Sequence, residues 1–167
     1  MDINQVAADF SLPDEAGFLH SLASFRGKIV VINFWSAECP WSARADQYLH
    51  HVGGKYPGKV AILNISSNQN ETLEQIQQSA REHDLPFVLL DQNCKVADAW
   101  GALTTPHIFV LDEQGFLRYR GAIDDVTFRK RTPDHFFVED AINSILDQRI
   151  PQTQETPSYG CTIVRMV

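Results

Sequence analysis

The sequence predicts an α/β protein of three layers, in which helices cover both faces of a central mixed β-sheet. Residues 28–35 (KIVVINFW) and 60–66 (VAILNIS) are continuous apolar runs, which is typical of strands that are buried on both faces. A helix predicted from Pro40 to about Tyr56 joins these strands, so they should be parallel with a right-handed crossover. Residues 107–112 and 116–120 flank the turn sequence EQG and predict an antiparallel hairpin, which makes the sheet mixed.

The remaining elements extend this sandwich at both ends. They are a short N-terminal hairpin (8–12 and 18–22), a helix at 71–83, a strand at 87–90, a short helix at 95–100 and a closing helix at 133–146. The composition then changes after Ile150, where a polar, proline-containing stretch begins. We therefore expect one domain over residues 1–150 and a C-terminal arm over residues 151–167.

The net charge and hydropathy of the chain indicate which kinds of binding partner it is not expected to have. The chain has 167 residues and a formal net charge of −7, which argues against a nucleic-acid or anionic-membrane surface. No apolar run approaches the roughly 20 residues that a membrane-spanning helix needs. The first residues lack the basic and apolar regions of a signal peptide, so the sequence as it stands predicts a cytoplasmic protein. An exported or periplasmic location stays open if a leader has been removed.

Cys39 is the first candidate for chemistry. It follows the predicted strand that ends at Trp35 and precedes a predicted helix with Pro40 at its first position. A helix N-terminus offers unpaired N–H groups and a partial positive charge, and both stabilise a thiolate. Glu38 opposes this effect, because a nearby carboxylate disfavours a second negative charge. A reactive thiol is the favoured interpretation, and a buried structural cysteine is the alternative.

The residues around Cys39 carry a resemblance to a known family. The segment FWSAECPWS resembles the active-site segment of thioredoxin-fold thiol–disulfide oxidoreductases, whose usual form is FWAxWCPxC. The opening ADFSLPDEAG and the run LASFRGKIVVINFW resemble the TlpA/ResA-like and AhpC/TSA-type redoxins, and AWGALTTPHIFVLDEQGFLRYRG resembles the second half of that fold. The resemblance covers roughly residues 5–147. It implies a thioredoxin-like fold, with the hairpin as an N-terminal extension.

The resemblance also implies a substrate platform. The family places a cis-proline opposite the active-site cysteine, and Pro106 matches that position. The backbone of Thr105 would then pair with a bound substrate strand. Trp35, Pro40 and Trp41 would form an apolar rim for peptide contact, although one of the two tryptophans could instead belong to the core.

The sequence departs from the family pattern at Ser42. This residue stands where a CxxC enzyme has the second cysteine, which attacks the mixed disulfide and releases the partner. The Ser42 hydroxyl cannot do so and could only donate a hydrogen bond to the Cys39 thiolate. An enzyme limited to Cys39 would be of monothiol type. Its mixed disulfide would be resolved by an external thiol or by a remote internal one.

Two further cysteines, Cys161 and Cys94, are candidates for the remote internal thiol. Cys161 follows Gly160 in the arm, and a mobile tail cysteine could reach Cys39 of its own chain or of a partner chain. The segment GCTI also resembles the GCxI tail of an uncharacterised peroxiredoxin-like subgroup of redoxins. The alternative for Cys161 is a small apolar residue packed on the domain. Cys94, at a loop-to-helix junction, is expected to be a spectator.

A peroxidase is a weaker interpretation. Peroxiredoxins carry PxxxTxxC after an apolar strand, and alignment of that strand puts Trp35, Cys39 and Ser42 at the proline, threonine and cysteine positions. Cys39 thus matches the first thioredoxin cysteine rather than the peroxidatic one. His107, beside Pro106, could lie near Cys39 and tune it, but a packed or solvated histidine is the favoured interpretation. No histidine spacing suits a metal, so neither metal nor cofactor is expected.

The leading hypothesis is a monothiol thiol–disulfide oxidoreductase with Cys39 as nucleophile, Ser42 as its hydrogen-bond partner and Thr105-Pro106 as substrate platform. Its partners would be protein or small-molecule thiols and disulfides, and it would be a monomer or a dimer. One alternative is a thioredoxin-fold binding module that has lost turnover. Another is a weak peroxidase, in which Cys161 captures a sulfenic acid formed at Cys39.

Overall fold

The computed structural model describes residues 1–166. The strands in chain order are β1 (Ser11–Pro13), β2 (Leu19–Ser21), β3 (Ile29–Trp35), β4 (Val60–Ser66), β5 (Leu89–Leu90), β6 (Thr104–Thr105), β7 (His107–Leu111), β8 (Leu117–Gly121) and β9 (Cys161–Thr162). The α-helices are α1 (Pro40–Lys55), α2 (Leu73–Glu82), α3 (Lys95–Trp100) and α4 (Phe137–Leu146). Val167, the last residue of the predicted arm, lies outside the described residues.

The central sheet has the strand order β5-β4-β3-β7-β8. Strands β3, β4 and β5 are parallel, whereas β7 and β8 run antiparallel to their neighbours. Every residue of β3 is buried, because helices and loops cover both faces of the sheet at this central strand. The predicted mixed sheet and the predicted fold class are therefore confirmed.

The two faces of β3 contribute to two different cores. Val30, Ile32 and Phe34 pack on the face that also buries α3, whereas Ile29 and Val31 pack against α1 and α4. This alternation follows from the period of two in a β-strand. Because β3 ends between these layers, the residues that follow it lie at the carboxyl edge of the sheet, next to the start of α1.

Several element boundaries differ from the prediction. The closing helix begins at Phe137 rather than at Pro133, because the carboxylate of Asp125 accepts hydrogen bonds from the backbone N–H groups of Asp134 and His135. These bonds stabilise a loop that leads into α4. The strand predicted at 87–90 is reduced to the two residues of β5. The N-terminal hairpin is present as the β1–β2 pair.

The segment after α4 packs back onto the sheet. Arg120 of β8 donates its backbone N–H to the carbonyl of Gln154 at 3.0 Å and accepts from Thr156 at 3.1 Å. The chain then crosses to the site edge, where β9 pairs antiparallel with β6. Within residues 1–166, no helix is long and apolar enough to cross a membrane.

Candidate active site

Cys39 is the N-cap residue of α1. Its backbone is extended, with φ −94° and ψ 121°, and Pro40 occupies the first helical position. The carbonyl of Cys39 accepts a hydrogen bond from Ala43, the first bond of the helix. Glu38 is exposed to solvent, so its carboxylate is screened from the sulfur by water. The strand–cysteine–helix arrangement that the sequence predicts is therefore present.

Cys39 forms a disulfide with Cys161, which is 122 residues further along the chain. The two Cα atoms are 6.3 Å apart, within the range that a disulfide spans. Cys39 is only 4% exposed, whereas Cys161 is half-buried at the start of β9. The thiol that could act on Cys39 thus comes from the C-terminal arm of the same chain.

The Thr105–Pro106 peptide bond is cis, as the resemblance implies. The carbonyl oxygen of Thr105 lies 3.2 Å from the Cys39 sulfur. In the disulfide this sulfur carries no proton, so the approach is a contact rather than a hydrogen bond. After reduction, the Cys39 thiol can donate to the same carbonyl.

Ser42 lies on the first turn of α1 and is fully buried. Its hydroxyl oxygen accepts a hydrogen bond from the backbone N–H of Ser36 at 3.1 Å. This contact ties the start of α1 to the residue that directly follows β3. The hydroxyl proton of Ser42 is not used by that contact, because a hydroxyl both donates and accepts.

The three residues predicted to form a rim have different positions. Trp35 is fully buried, and its indole N–H donates to Asp46 at 2.8 Å, so it belongs to the core. This differs from the rim predicted for Trp35, because β3 is covered on both faces up to its last residue. Pro40 is exposed and Trp41 is half-buried, and both directly follow Cys39 in the chain. Their role as a rim for peptide contact stays a prediction.

Cys94 and His107 are both buried side chains. Cys94 is 2% exposed, its sulfur contacts the carbonyl of Ser67, and burial raises the pKa of its thiol. His107 accepts a hydrogen bond from the backbone N–H of Leu103 through Nδ1. Burial, with a smaller effect of the charge on Arg120, lowers the pKa of His107 to about 4. His107 is therefore neutral and packed at neutral pH.

Sequence reasoning missed the residues that seat the arm. Tyr159 packs edge-on against Trp41 with 4.9 Å between ring centroids, and Ile163 is buried in the core on the α3 face. The alternation of Tyr159, Cys161 and Ile163 is a signal in the sequence, but it is too short to predict a strand.

A chain of hydrogen bonds links the arm to the active-site loop. Asn68 accepts a hydrogen bond from the Val164 N–H and donates one to Glu71. The Glu71 carboxylate in turn accepts from the backbone N–H of Ala37, which lies in the active-site loop.

Acidic, histidine and cysteine side chains are those that could hold a metal ion. Among residues 1–166, no group of three or more of these side chains is placed to hold a metal ion. The groups that meet at the site are the two sulfurs, the start of α1 and the backbone beside the cis-proline.

A mixed sheet with a cysteine at the start of α1, opposite a cis-proline, defines a redoxin of the thioredoxin fold. Comparison with known families gives the same class and a narrower assignment. The chain belongs to the AhpC/TSA family, whose model matches residues 3–120.

Individual relatives agree with this assignment. The chain is 30% identical to the thioredoxin-like protein YneN of Bacillus subtilis over 116 residues, which cover 68% of each chain. It is 28% identical to the thiol-disulfide oxidoreductase ResA of Bacillus thuringiensis, over 69% of this chain and 66% of ResA. The matched region thus spans about two thirds of the length of these curated relatives.

A solved structure covers the arm as well. The crystal structure of a hypothetical protein from Sinorhizobium meliloti superposes with a TM-score of 0.89 at 30% sequence identity. The superposition covers 100% of this chain and 96% of that one. The fold described above, including the segment after α4, is therefore shared with a protein of known structure.

Proposed function

We propose that the protein is a thiol–disulfide oxidoreductase that uses Cys39 as its nucleophile and Cys161 as its resolving thiol. The observation that carries this proposal is the disulfide between the cysteine at the start of α1 and the cysteine of the C-terminal arm. It favours a two-thiol cycle over the monothiol cycle that Ser42 predicts. The names of the relatives support the reaction class, since ResA is a thiol-disulfide oxidoreductase and DsbE of Vibrio cholerae is a thiol:disulfide interchange protein.

The first step forms a mixed disulfide. The Cys39 thiolate attacks one sulfur of a substrate disulfide, and the other substrate sulfur leaves as a thiolate. The start of α1 favours the attacking thiolate, because its N–H groups and partial positive charge lie beside the sulfur. We further propose that Ser42, three residues further along the helix, donates its hydroxyl proton to the same sulfur in the reduced protein. In the disulfide form the Ser42 hydroxyl contacts the Ser36 N–H.

The second step releases the substrate. The Cys161 thiolate attacks the Cys39 sulfur, the Cys39–Cys161 bond forms, and the second substrate sulfur leaves as a thiolate. The two substrate thiolates take up the protons that Cys39 and Cys161 lost, so the substrate is reduced by two electrons and the two protein thiols are oxidised. An external dithiol returns the protein to its reduced form. The same steps in reverse would oxidise a substrate dithiol.

A single-turnover experiment tests the proposal. Reduced protein is mixed with a small disulfide, quenched with acid and analysed by intact mass. The wild type should lose two hydrogens and carry no adduct, whereas Cys161→Ser should accumulate one adduct on Cys39. Cys39→Ser should give neither product, and Cys94→Ser should behave as the wild type.

The outcomes separate this proposal from its alternatives. A reduced wild type that does not react with disulfides would leave the binding module without turnover as the better description. Peroxide consumption that requires Cys39, without disulfide exchange, would instead favour the peroxidase. An adduct that persists in the wild type would contradict the resolving function of Cys161.

A further inference from the structure

The C-terminal arm crosses the active site as an extended strand. In the β6–β9 pair, Cys161 lies opposite Thr105 and Thr162 lies opposite Thr104. The pairing continues with a hydrogen bond of 3.1 Å from the Ile163 N–H to the Leu103 carbonyl. The backbone edge next to the cis-proline is therefore occupied by the protein's own chain.

Alternate side chains of the arm face the domain. Tyr159 contacts Trp41, and its hydroxyl accepts a hydrogen bond from the backbone N–H of Phe128 at 2.8 Å. Cys161 faces Cys39, and Ile163 is 2% exposed in the core. The period of two means that the domain contacts an aromatic side chain, a cysteine and an aliphatic side chain in one extended strand.

The residue before the arm cysteine has no room for a side chain. A Cβ atom at Gly160 would lie 2.2 Å from the carbonyl oxygen of Thr105 and 3.0 Å from Cδ of Pro106. Both neighbours are backbone or a rigid ring next to the cis bond, so they cannot move aside as a flexible side chain would. The groove therefore accepts glycine at this position and opposes larger residues.

The end of the arm is held by weaker contacts. Arg165 forms a salt bridge of 2.7 Å with Asp98, but both side chains are solvent-exposed, at 38% and 59%. The Val164 N–H donates to Asn68 at 2.7 Å. Because an exposed ion pair contributes little, the end of the arm adds little to the β6–β9 pairing and the burial of Ile163. These are the contacts that the arm must give up to dissociate once the disulfide is reduced.

We propose that the arm is an internal occupant of the site that binds protein substrates. The substrate class is an extended polypeptide with an aromatic residue two before its cysteine, glycine directly before it and an aliphatic residue two after it. This inference rests on the proposed function, because it assigns the substrate of the Cys39 thiolate. Substrate and arm both need the backbone of Thr105, so they bind alternately.

The exchange has a defined order. Reduction breaks the Cys39–Cys161 bond, the arm leaves, and the substrate strand pairs with Thr105 while Cys39 attacks its disulfide. The resulting mixed disulfide is resolved only after the substrate strand has left the Thr105 edge and the arm has returned with Cys161. Docking of the arm thus lowers the fraction of reduced protein that can bind a substrate.

A peptide with the arm's own sequence provides the probe. The synthetic peptide SYGCTIVR carries 5-thio-2-nitrobenzoate on its cysteine, so attack by Cys39 forms the Cys39–peptide bond and releases the coloured thiolate. A second peptide has serine in place of the tyrosine and the isoleucine. The mixed disulfide of 2-mercaptoethanol with the same leaving group reports on the reactivity of Cys39 alone.

The protein variants change only the docking of the arm. All carry Cys161→Ser on the full-length chain, so that no internal resolution occurs. The parent is compared with a variant that adds Gly160→Ala, which should expel the arm and raise the rate with SYGCTIVR by about tenfold. Gly54→Ala is the matched control, since a Cβ there meets nothing within 4 Å, and it should leave the rate unchanged.

A second variant, at the surface, tests the inference even if the Gly160→Ala protein does not fold. Arg165→Glu places two negative charges together at Asp98 and should raise the rate by about two- to fivefold. The added change Asp98→Arg restores an ion pair of opposite orientation and should return the rate to that of the parent. Both charges lie at the surface. Arg165 also donates to the backbone carbonyl of Ala102 at 3.3 Å, which the Asp98→Arg change does not restore.

The peptides distinguish recognition from simple access. In the Gly160→Ala variant, SYGCTIVR should react faster than the peptide with the two serines. Equal rates for the two peptides, or rates that neither Gly160→Ala nor Arg165→Glu changes, would overturn the inference if the small disulfide still reacts at Cys39. A Cys39 that reacts with none of the three probes would overturn the proposed function together with the inference.

Discussion

His107 is buried, and its environment gives it a lower pKa than an exposed histidine has. It lies directly after the cis-proline, is 6% exposed and packs against Phe109. Burial disfavours the charged ring, so the pKa falls from 6.5 to about 4. The neutral ring accepts the Leu103 N–H, and a protonated Nδ1 would lose that hydrogen bond. His107 therefore stabilises the turn before β7 only while it is neutral.

This predicts a loss of stability in acid. The unfolded chain binds a proton at His107 as the pH falls below 6.5, whereas the folded protein does so only near pH 4. Stability should therefore decrease from pH 6.5 towards pH 4, by about 3 kcal/mol from this residue alone. Urea unfolding at several pH values measures the effect. His107→Asn keeps an acceptor for the Leu103 N–H and should show a shallower decrease.

An exposed histidine is the control for this prediction. His50→Asn changes a side chain on the solvent face of α1 and should keep the pH dependence of the wild type. Parallel curves for the wild type and His107→Asn would show that His107 titrates normally in the folded protein.

At the scale of single elements, α2 shows how a local signal determines where a helix begins. Thr72 is its N-cap, and its hydroxyl accepts from the Gln75 N–H at 3.2 Å. The Gln75 side chain accepts in return from the Thr72 N–H at 2.8 Å. This capping box satisfies two backbone N–H groups that the helix cannot, so α2 begins at Leu73 rather than at Glu71.

Loss of the cap should destabilise the protein. Thr72→Ala removes the hydroxyl acceptor and should lower the free energy of unfolding by about 1 kcal/mol. Thr72→Ser keeps the acceptor and should stay close to the wild type. Urea unfolding of the three proteins measures the difference, and an unchanged midpoint for Thr72→Ala would show that the exposed box contributes nothing.

At the scale of the whole molecule, the Cys39–Cys161 disulfide links the start of the first helix, α1, to the last strand, β9. The disulfide joins residues 122 positions apart, so most of the chain lies within one covalent loop. A cross-link of this span restricts the unfolded chain strongly. The redox state of the site should therefore determine the stability of the entire fold.

Chemical denaturation with and without a reductant tests this coupling. The oxidised wild type should be more stable than the reduced protein by roughly 3–5 kcal/mol. Cys161→Ser should have the lower stability under both conditions, because it never forms the cross-link. A wild type that is equally stable with and without reductant would show that the disulfide does not constrain the unfolded state.

Most of the sheet was predictable because its signals are local. The apolar run of β3 and that of β4, with a helix between them, are enough to predict parallel central strands. The short β5 and the late start of α4 were not predictable, since side-chain contacts such as that of Asp125 decide where those elements begin and end.

The sequence by itself determined the fold class, the position of Cys39 at the start of a helix, and the absence of a second cysteine at Ser42. The tertiary structure alone decided that Cys161 pairs with Cys39, that Trp35 belongs to the core, and that Gly160 lies against Thr105. The physical reason is the range of the interactions. Periodicity and helix caps act over a few residues, whereas the arm is positioned by burial and strand pairing with residues more than 50 positions away.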